Sequence, residues 1–597
     1  MAIGTSDEFP IDNLTINLTI CKQPMGMTKS TEHLQKCFIF TLLLLGMYSG
    51  STAQNFSWAK AWGQLAWDAG TSITTDGNGN VYTTGYFIGN VDFDPGAGTY
   101  YIDDAGNYTV FISKLDASGN FVWAKTFGGA DYSEGHAIAL DGSGNIYTTG
   151  SFKGTVDFDP GNGTFPLTSA GNGDIFISKL DASGNFVWAK QIGGINDDCG
   201  HSITMDNQGN VLTTGYFQSS ADFDPGTGTF TLASEGDDDA FISKLDTSGN
   251  FVWAKNWGWA GEDRGNSVAA DGGGNVYSTG HFFGMVDFDP GAGSFSLFSG
   301  GGSAAFISKL DASGNFVWAK QLSGNLENWG KSIAVDESGN VYTAGGFIGT
   351  VDFNPGSDTF NLVSVAGYYD GYISKLDDMG AFTWAKQIGG TDYDYALSLA
   401  LDHFGNVYTT GIFSDSVDFD PGAGVLPLVS FGQKDVFVSI LSAAGNLVWA
   451  EHMGGEVDDG GYSIALDGSG NVYTTGFYIY TADFDPGPGV YNLTSLGEFD
   501  VFVQKTSQPT YGVAENSLHQ EIVCYPNPTT GNITVTLYST PAKAQIVVHN
   551  VMGQELSSKR MESANQFDLL IPGPAGVYFV ELVLDDTRRA IFKIIKN

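Results

Sequence analysis

The chain has 597 residues, 82 of them Gly, with 26 Lys+Arg against 66 Asp+Glu and a formal charge of −40. That charge repels phosphate backbones and anionic lipid surfaces, which excludes nucleic acid as a partner and favours cations or neutral ligands. Hydrophobic residues at 42% and aromatic residues at 13% exclude a disordered chain, because so much apolar side chain offsets the entropy of ordering.

Lys29, His33 and Lys36 precede an apolar run from Cys37 to Met47 that ends in the small residues Ser51-Thr52-Ala53. Residues 25–53 read as a secretory signal peptide, and residues 1–24 as a segment upstream of a start at Met25 or Met27. The run is too short to span a bilayer and nothing longer follows, so no transmembrane helix is expected. Cleavage after Ala53 leaves Cys199 and Cys524 in separate domains, so the mature fold is expected to lack a disulfide framework.

Residues 54–507 repeat. Trp58, Trp123, Trp188, Trp253, Trp318, Trp384 and Trp449 recur at spacings of 65, 65, 65, 65, 66 and 65 residues. Asp-Phe-Asp-Pro-Gly recurs with them from Asp92, Asp157, Asp222, Asp287, Asp418 and Asp483, with Asp352-Phe-Asn-Pro-Gly as the one variant. Each unit holds four runs rich in Val, Ile, Thr, Tyr and Phe, separated by Gly-Asn turns, with no stripe of helical period; residues 136–141, 145–152, 174–181 and 185–190 are one such set. A small hairpin is expected between the second and third runs. The first Trp strand has no third strand before it and the last unit has no Trp strand after it, so each end supplies what the other lacks. An all-β, seven-bladed β-propeller of about 65 residues per repeat is therefore predicted, its ring closed by the N-terminal strand. These units resemble the bacterial SBBP propeller repeats, a resemblance that implies a fold and no particular reaction.

After a polar linker at 508–523, residues 524–597 change character: from 525 on there are seven basic and six acidic residues. Period-2 runs at 532–537, 545–549 and 576–582 predict a small C-terminal β-sandwich. Tyr525-Pro526-Asn527-Pro528-Thr-Thr-Gly531, the turn containing Gly553, and Pro574-Ala-Gly576-Val-Tyr578-Phe resemble the type A sorting domain of type IX secretion. That resemblance implies the type IX machinery as a partner, export across an outer membrane, and release or attachment at the cell surface.

A residue repeated in every unit serves the fold first, so the Trp column is read as core and the Gly-Asn turns as turn chemistry. Asp-Phe-Asp-Pro-Gly admits two readings. It is a turn stabilised by Asp, or a Ca²⁺ site in which Asp92, Asp94, Asp157, Asp159, Asp222, Asp224, Asp287, Asp289, Asp352, Asp418, Asp420, Asp483 and Asp485 contribute oxygen ligands. Specific function is expected where the symmetry breaks. The residue opening each inner strand runs Thr71, His136, His201, Asn266, Lys331, Leu397, Tyr462, and the loops before it carry acids including Asp68, Asp131, Asp197, Asp198, Asp263, Asp392, Asp394, Asp458 and Asp459. These are read as a carboxylate rim at one mouth of the channel, suited to a cation or a polyhydroxyl ligand. His136 and His201 are a metal-ligand pair without a visible third partner.

No nucleophile elbow, zinc-protease helix, paired-cysteine motif or phosphate-binding loop is present. The reading is a monomeric, secreted or cell-surface binding module for polysaccharide or another surface protein, not an enzyme. The alternatives are a polysaccharide hydrolase or lyase using mouth carboxylates, and a calcium-stabilised envelope protein.

Overall fold

A computed structural model describes residues 55–104, 107–129 and 131–507, then 522–525, 529, 531–537, 543–550, 555–562, 566–573, 576–584 and 588–596. Both the upstream segment and the signal peptide of the sequence reading lie outside the described residues. So do most of the linker, Pro526, Asn527, Pro528 and Gly553.

The described chain is all β. It opens on β1 (Asn55–Trp62), and the first unit follows as β2 (Ala69–Thr75), β3 (Val81–Phe87), the short hairpin β4 (Asn90–Asp92) and β5 (Tyr101–Asp103), then β6 (Thr109–Leu115) and β7 (Phe121–Gly129). β2, β3, β6 and β7 pair antiparallel in that order. The second unit repeats this with Ser133–Leu140, Ile146–Phe152, Asp174–Leu180 and Phe186–Gly194, close to the predicted runs. In other units the hairpin merges with its neighbours, as in Val211–Asp222 and Thr231–Leu245. The hairpin also pairs with the outermost strand of the unit before it, Val156 opposite Gly129 and Asp222 opposite Gly193, which covers strand edges that would otherwise invite association.

The turns explain why the strands stop where they do. Asp76 Oδ1 accepts from the backbone N–H of Asn78 and Asn80, its Oδ2 accepts from the Asn80 amide, and Gly79 takes φ +76°, which a side chain would disfavour. The same bonds form at Asp141, Asp206, Asp271, Asp336, Asp402 and Asp467.

The core lies between neighbouring units. Ile175, Ile177 and Ile192 of the second unit pack against Phe217, Phe223 and Phe241 of the third. One such cluster joins the last unit to the first, with Trp62, Tyr473, Val501 and Val503 against Ile73, Val81 and Phe111. There β1 pairs antiparallel with Asn492–Ser507, from Asn55 opposite Ser507 to Trp62 opposite Val501, and so supplies the fourth strand that the last unit lacks. The Trp column is core or near-core as expected: Trp253, Trp318, Trp384 and Trp449 are buried, and indole N–H groups reach turn carbonyls of the next unit, as Trp384 to Ala443 at 3.1 Å.

In the C-terminal segment, Ile522–Tyr525, Asn532–Leu537 and Gln566–Leu570 form one sheet, and Lys543–Asn550, Glu555–Glu562, Gly576–Leu584 and Arg588–Lys596 another. Ile533, Val535 and Leu537 from the first share a core with Ile546, Val548, Val580, Leu582 and Ile594 from the second. Tyr578 is buried in that core, Gly531 takes φ +135°, and Gly576 pairs with Lys596.

Candidate functional site

The start of every inner strand is built on one backbone contact. The N–H groups of Asp68, Ser133, Asp198, Asp263, Asn328, Asp394 and Asp459 donate to the carbonyls of Phe499, Tyr108, Gly173, Asp238, Ser303, Tyr369 and Lys434. At five of these places the residue is an Asp, and its carboxylate is a staple. Asp198 Oδ2 accepts from Gly194 N–H at 2.6 Å and its Oδ1 from Gln218 N–H at 3.0 Å; Asp263 bonds Trp259 and Phe283 in the same way. Burial pushes both carboxyls up to about 7, against the pull of those hydrogen bonds. The carboxylate rim of the sequence reading therefore divides. Asp68, Asp198, Asp263, Asp394 and Asp459 are buried, because unpaired loop N–H groups need an internal acceptor. Asp131 and Asp197 stand exposed, while Asp392 and Asp458 are half-buried, Asp458 beside the Lys434 ammonium at 3.8 Å.

On this uniform backbone the side chains vary. Thr71, His136, His201, Asn266, Leu397 and Tyr462 are half-buried and Lys331 is exposed. Each sits at a β-bulge, where the register shifts by one residue and re-aims the side chain. Four of them reach the next unit: Thr71 donates to Gly135 O at 2.6 Å, Asn266 to Gly330 O at 2.7 Å, and the Nδ1 atoms of His136 and His201 lie 3.2 and 3.1 Å from Gly200 O and Gly265 O. Two residues earlier runs a second varied column, Ala69, Glu134, Cys199, Arg264, Trp329, Tyr395 and Gly460. It pairs across the hairpin with a third, Tyr86, Ser151, Tyr216, His281, Gly346, Ile412 and Phe477. Sequence reasoning followed only the first column, although the same 65-residue ruler lays out all three.

The columns meet in two clusters. In the first, Cys199 is buried with its Sγ 3.2 Å from His136 Nδ1, and one donor atom from each of His136, Cys199 and His201 lies within 4.8 Å of the others. His136 Nε2 is 3.3 Å from Glu134 Oε2. Burial opposes ionisation of Cys199, but the two imidazoles outweigh it and hold the thiol well below its usual range. Next to this group Tyr216 meets the His201 ring at 5.4 Å between centroids and carries the Arg264 guanidinium at 4.5 Å, which in turn pairs with buried Asp238. Burial, together with Lys331 and Arg264, pulls His281 down to about 3, so its ring is neutral.

The second cluster is aromatic. Trp329 lies 4.5 Å from Tyr369 and 6.0 Å from Tyr395, and Tyr393 stacks at 6.2 Å on both tyrosines. Tyr368 adds a 5.0 Å edge contact to Tyr393, and Tyr369 donates its hydroxyl to Glu327. Gly346 makes room for it, since a Cβ there would sit 3.2 Å from both Trp329 and Tyr395. Tyr368 and Tyr393 are 40% and 38% exposed, so the cluster opens to solvent at its edge.

The Asp-Phe-Asp-Pro-Gly acids lie elsewhere, in the turns of the small hairpins. In all seven copies the first Asp accepts two N–H groups, as Asp92 does from Asp94 and Tyr100, and the second residue accepts one from the Gly two places on. Asn354 makes the same bond as its acidic counterparts. Asp92 and Asp94 also border a cavity of about 370 Å³ with Lys60 and Asp500. Among the described residues, His136, Cys199 and His201 form the one group of three His, Cys or acidic side chains spaced to hold an ion.

Residues 122–151, 187–219, 317–345 and 383–411 match the SBBP beta-propeller repeat, and residues 523–597 match the secretion system C-terminal sorting domain. The chain thus carries β-propeller repeats along part of its length and a type IX sorting domain at residues 523–597, which indicates secretion and cell-surface attachment. It is similar to the uncharacterized WD repeat-containing protein L264 of Acanthamoeba polyphaga mimivirus, 23% identical over 64% of this chain and 33% of that protein. It is also similar to the regulatory protein FlaEY of Caulobacter vibrioides, 23% identical over 28% of this chain and 17% of that one. The chain thus spans a third or less of the length of these curated relatives. The exotype rhamnogalacturonan lyase YesX aligns with 75% of this chain and 91% of its own at 10% identity, with a TM-score of 0.21, too low to bear on fold or function. Among the described residues no helix is long and apolar enough to cross a membrane.

Proposed function

We propose that the seven units close into a seven-bladed propeller that presents the three varied columns as a binding face, and that its ligand at the cell surface is a polysaccharide. Closure is supported by the pairing of β1 with Asn492–Ser507 and by the Asp68 N–H bond to Phe499 O. The cluster of Trp329, Tyr369, Tyr393 and Tyr395 carries the ligand reading. Rigid, amphipathic rings offer apolar faces to the C–H side of a sugar, while Glu327 and the tyrosine hydroxyls accept and donate to its hydroxyls. An acidic protein suits a neutral glycan better than an anionic one.

The test is retention on a panel of neutral polysaccharides in affinity gels, with products assayed in parallel. Retention without new reducing ends is expected, and Trp329→Ala or Tyr393→Ala should weaken it at least about tenfold at unchanged melting temperature, as central aromatic anchors do. No retention, or retention indifferent to both substitutions, overturns the reading. New reducing ends or unsaturated products would instead make the chain a polysaccharide-cleaving enzyme.

A further inference from the structure

We propose that His136, Cys199 and His201 are the ligands of a borderline-soft divalent metal ion of the Zn²⁺ class. This inference goes beyond the glycan-binding reading and stands or falls without it.

One thiolate and two imidazoles are the donors such an ion prefers, whereas Ca²⁺ and Mg²⁺ take oxygen. Bond lengths of about 2.0 to 2.3 Å in a tetrahedral site put ligand atoms about 3.3 to 3.6 Å apart. The donor atoms here lie within 4.8 Å of one another, and His136 Nδ1 is already 3.2 Å from Cys199 Sγ. Small side-chain rotations suffice to close the set.

The surrounding groups hold both rings in place. Glu134 sits on His136 Nε2 at 3.3 Å and accepts its proton in a hydrogen bond, so that an ion displacing the Nδ1 proton now facing Gly200 O can bind Nδ1. Gly265 O sits on His201 Nδ1 at 3.1 Å, which leaves Nε2 free. A carboxylate and a carbonyl on the far nitrogens are the outer partners that metal-bound histidines use. Without an ion, His136 Nδ1 is shared between Gly200 O and Cys199 Sγ.

Geometry comes from the fold. His201 occupies the bulge of one inner strand with Cys199 two residues before it, and His136 occupies the equivalent bulge of the strand beside it. Cys199 is closed off, but the His136 side chain is 22% exposed, which gives an ion a way in. Three protein donors leave a coordination position for water or a ligand oxygen.

The experiment titrates the reduced, metal-free full chain with Zn²⁺ and, as a spectroscopic stand-in, Co²⁺. Expected are one tightly held ion per chain and a thiolate-to-cobalt charge-transfer band. Cys199→Ser should abolish the band with the other three cysteines intact, and His201→Ala should weaken Zn²⁺ binding. Glu134→Gln should weaken it by on the order of 10- to 100-fold. Asp92→Ala should change nothing. A wild-type chain with no charge-transfer band overturns the proposal, as does a band that persists in Cys199→Ser. If Cys199→Ser does not fold, judged by circular dichroism, His136→Gln takes its place, and an undiminished band there overturns the proposal equally.

Discussion

The backbone N–H of Ile73 donates to Ser463 Oγ at 3.2 Å, across 390 positions of sequence, and ties the innermost strand of the first unit to that of the last. The same serine bond runs from Ile138 to Ser72, Val268 to Ser202, Ile333 to Ser267, Leu399 to Ser332 and Ile464 to Ser398. At the remaining junction Ala137 stands in the serine's place, opposite Ile203. Ser463→Ala should leave a buried N–H unpaired and cost about 1 to 3 kcal/mol. Ala137→Ser should recover about 1 kcal/mol. Denaturant midpoints check both. Equal midpoints for wild type and Ser463→Ala would mean that the junction between last and first units opens in solution.

Trp449 shows where the two ends of the repeat region meet. Other Trp residues donate to a turn of the next unit, but in the last unit no turn joins Ser507 to Asn55, and Trp449 Nε1 donates to Glu451 at 3.0 Å instead. The variant triplet Trp-Ala-Glu thus marks the seam. Deleting residues 55–62 should uncover Val501 and Val503 and leave Asn492–Ser507 as an open edge. A large loss of cooperative unfolding, with self-association on gel filtration, is expected. A monomer melting like the parent would remove the case for ring closure.

All seven copies of the motif, six Asp-Phe-Asp-Pro-Gly and one Asp-Phe-Asn-Pro-Gly, satisfy turn N–H groups through both positions, and Asn354 does so without charge. The turn role therefore needs no cation. In a Cys199→Ser background, which takes the His-Cys group out of consideration, melts in millimolar Ca²⁺ and in EDTA should coincide. Asp92→Ala should cost about 1 to 2 kcal/mol through its two lost hydrogen bonds. A melting temperature several degrees lower in EDTA would restore the calcium reading of these acids.

The architecture was legible because the repeat writes it seven times: the strand runs, the small hairpin and the complementary ends all appear in the order of residue types. The candidate site was half legible. His136 and His201 stood out as irregular members of one column, yet their third partner was hidden. Cys199 lies two residues before His201, and an ideal strand would place both on one side with no hint of the neighbouring strand's His136; only the bulges and the packing of adjacent units bring the three together. The acids misled for a different reason. Asp197 and Asp198 are consecutive and look alike in sequence, but backbone direction sends one to solvent and the other into a buried loop.

Those buried acids set an unusual pH dependence. Burial raises Asp68, Asp198, Asp263 and Asp394 to about 7 and Asp459 to about 8, with neighbouring carboxylates adding to the effect. An unfolded Asp titrates near 3.8, so between these values the folded chain holds protons that the unfolded chain has lost. Their contribution to stability is complete below the unfolded value and drains away as pH rises through about 7 to 8. The turn residues act oppositely. Burial works against Asp76, Asp141 and Asp336, but hydrogen bonds from Asn80, Asn145 and Asn340 outweigh it and hold them below the usual range, so their contribution is lost as pH falls below about 4. The melting temperature should accordingly peak near pH 4 to 5 and decline toward pH 8, and Asp459→Asn should flatten the decline. A melting temperature that climbs steadily from pH 5 to pH 8 would mean that these carboxylates are ionised in the folded chain, held so by their paired N–H donors.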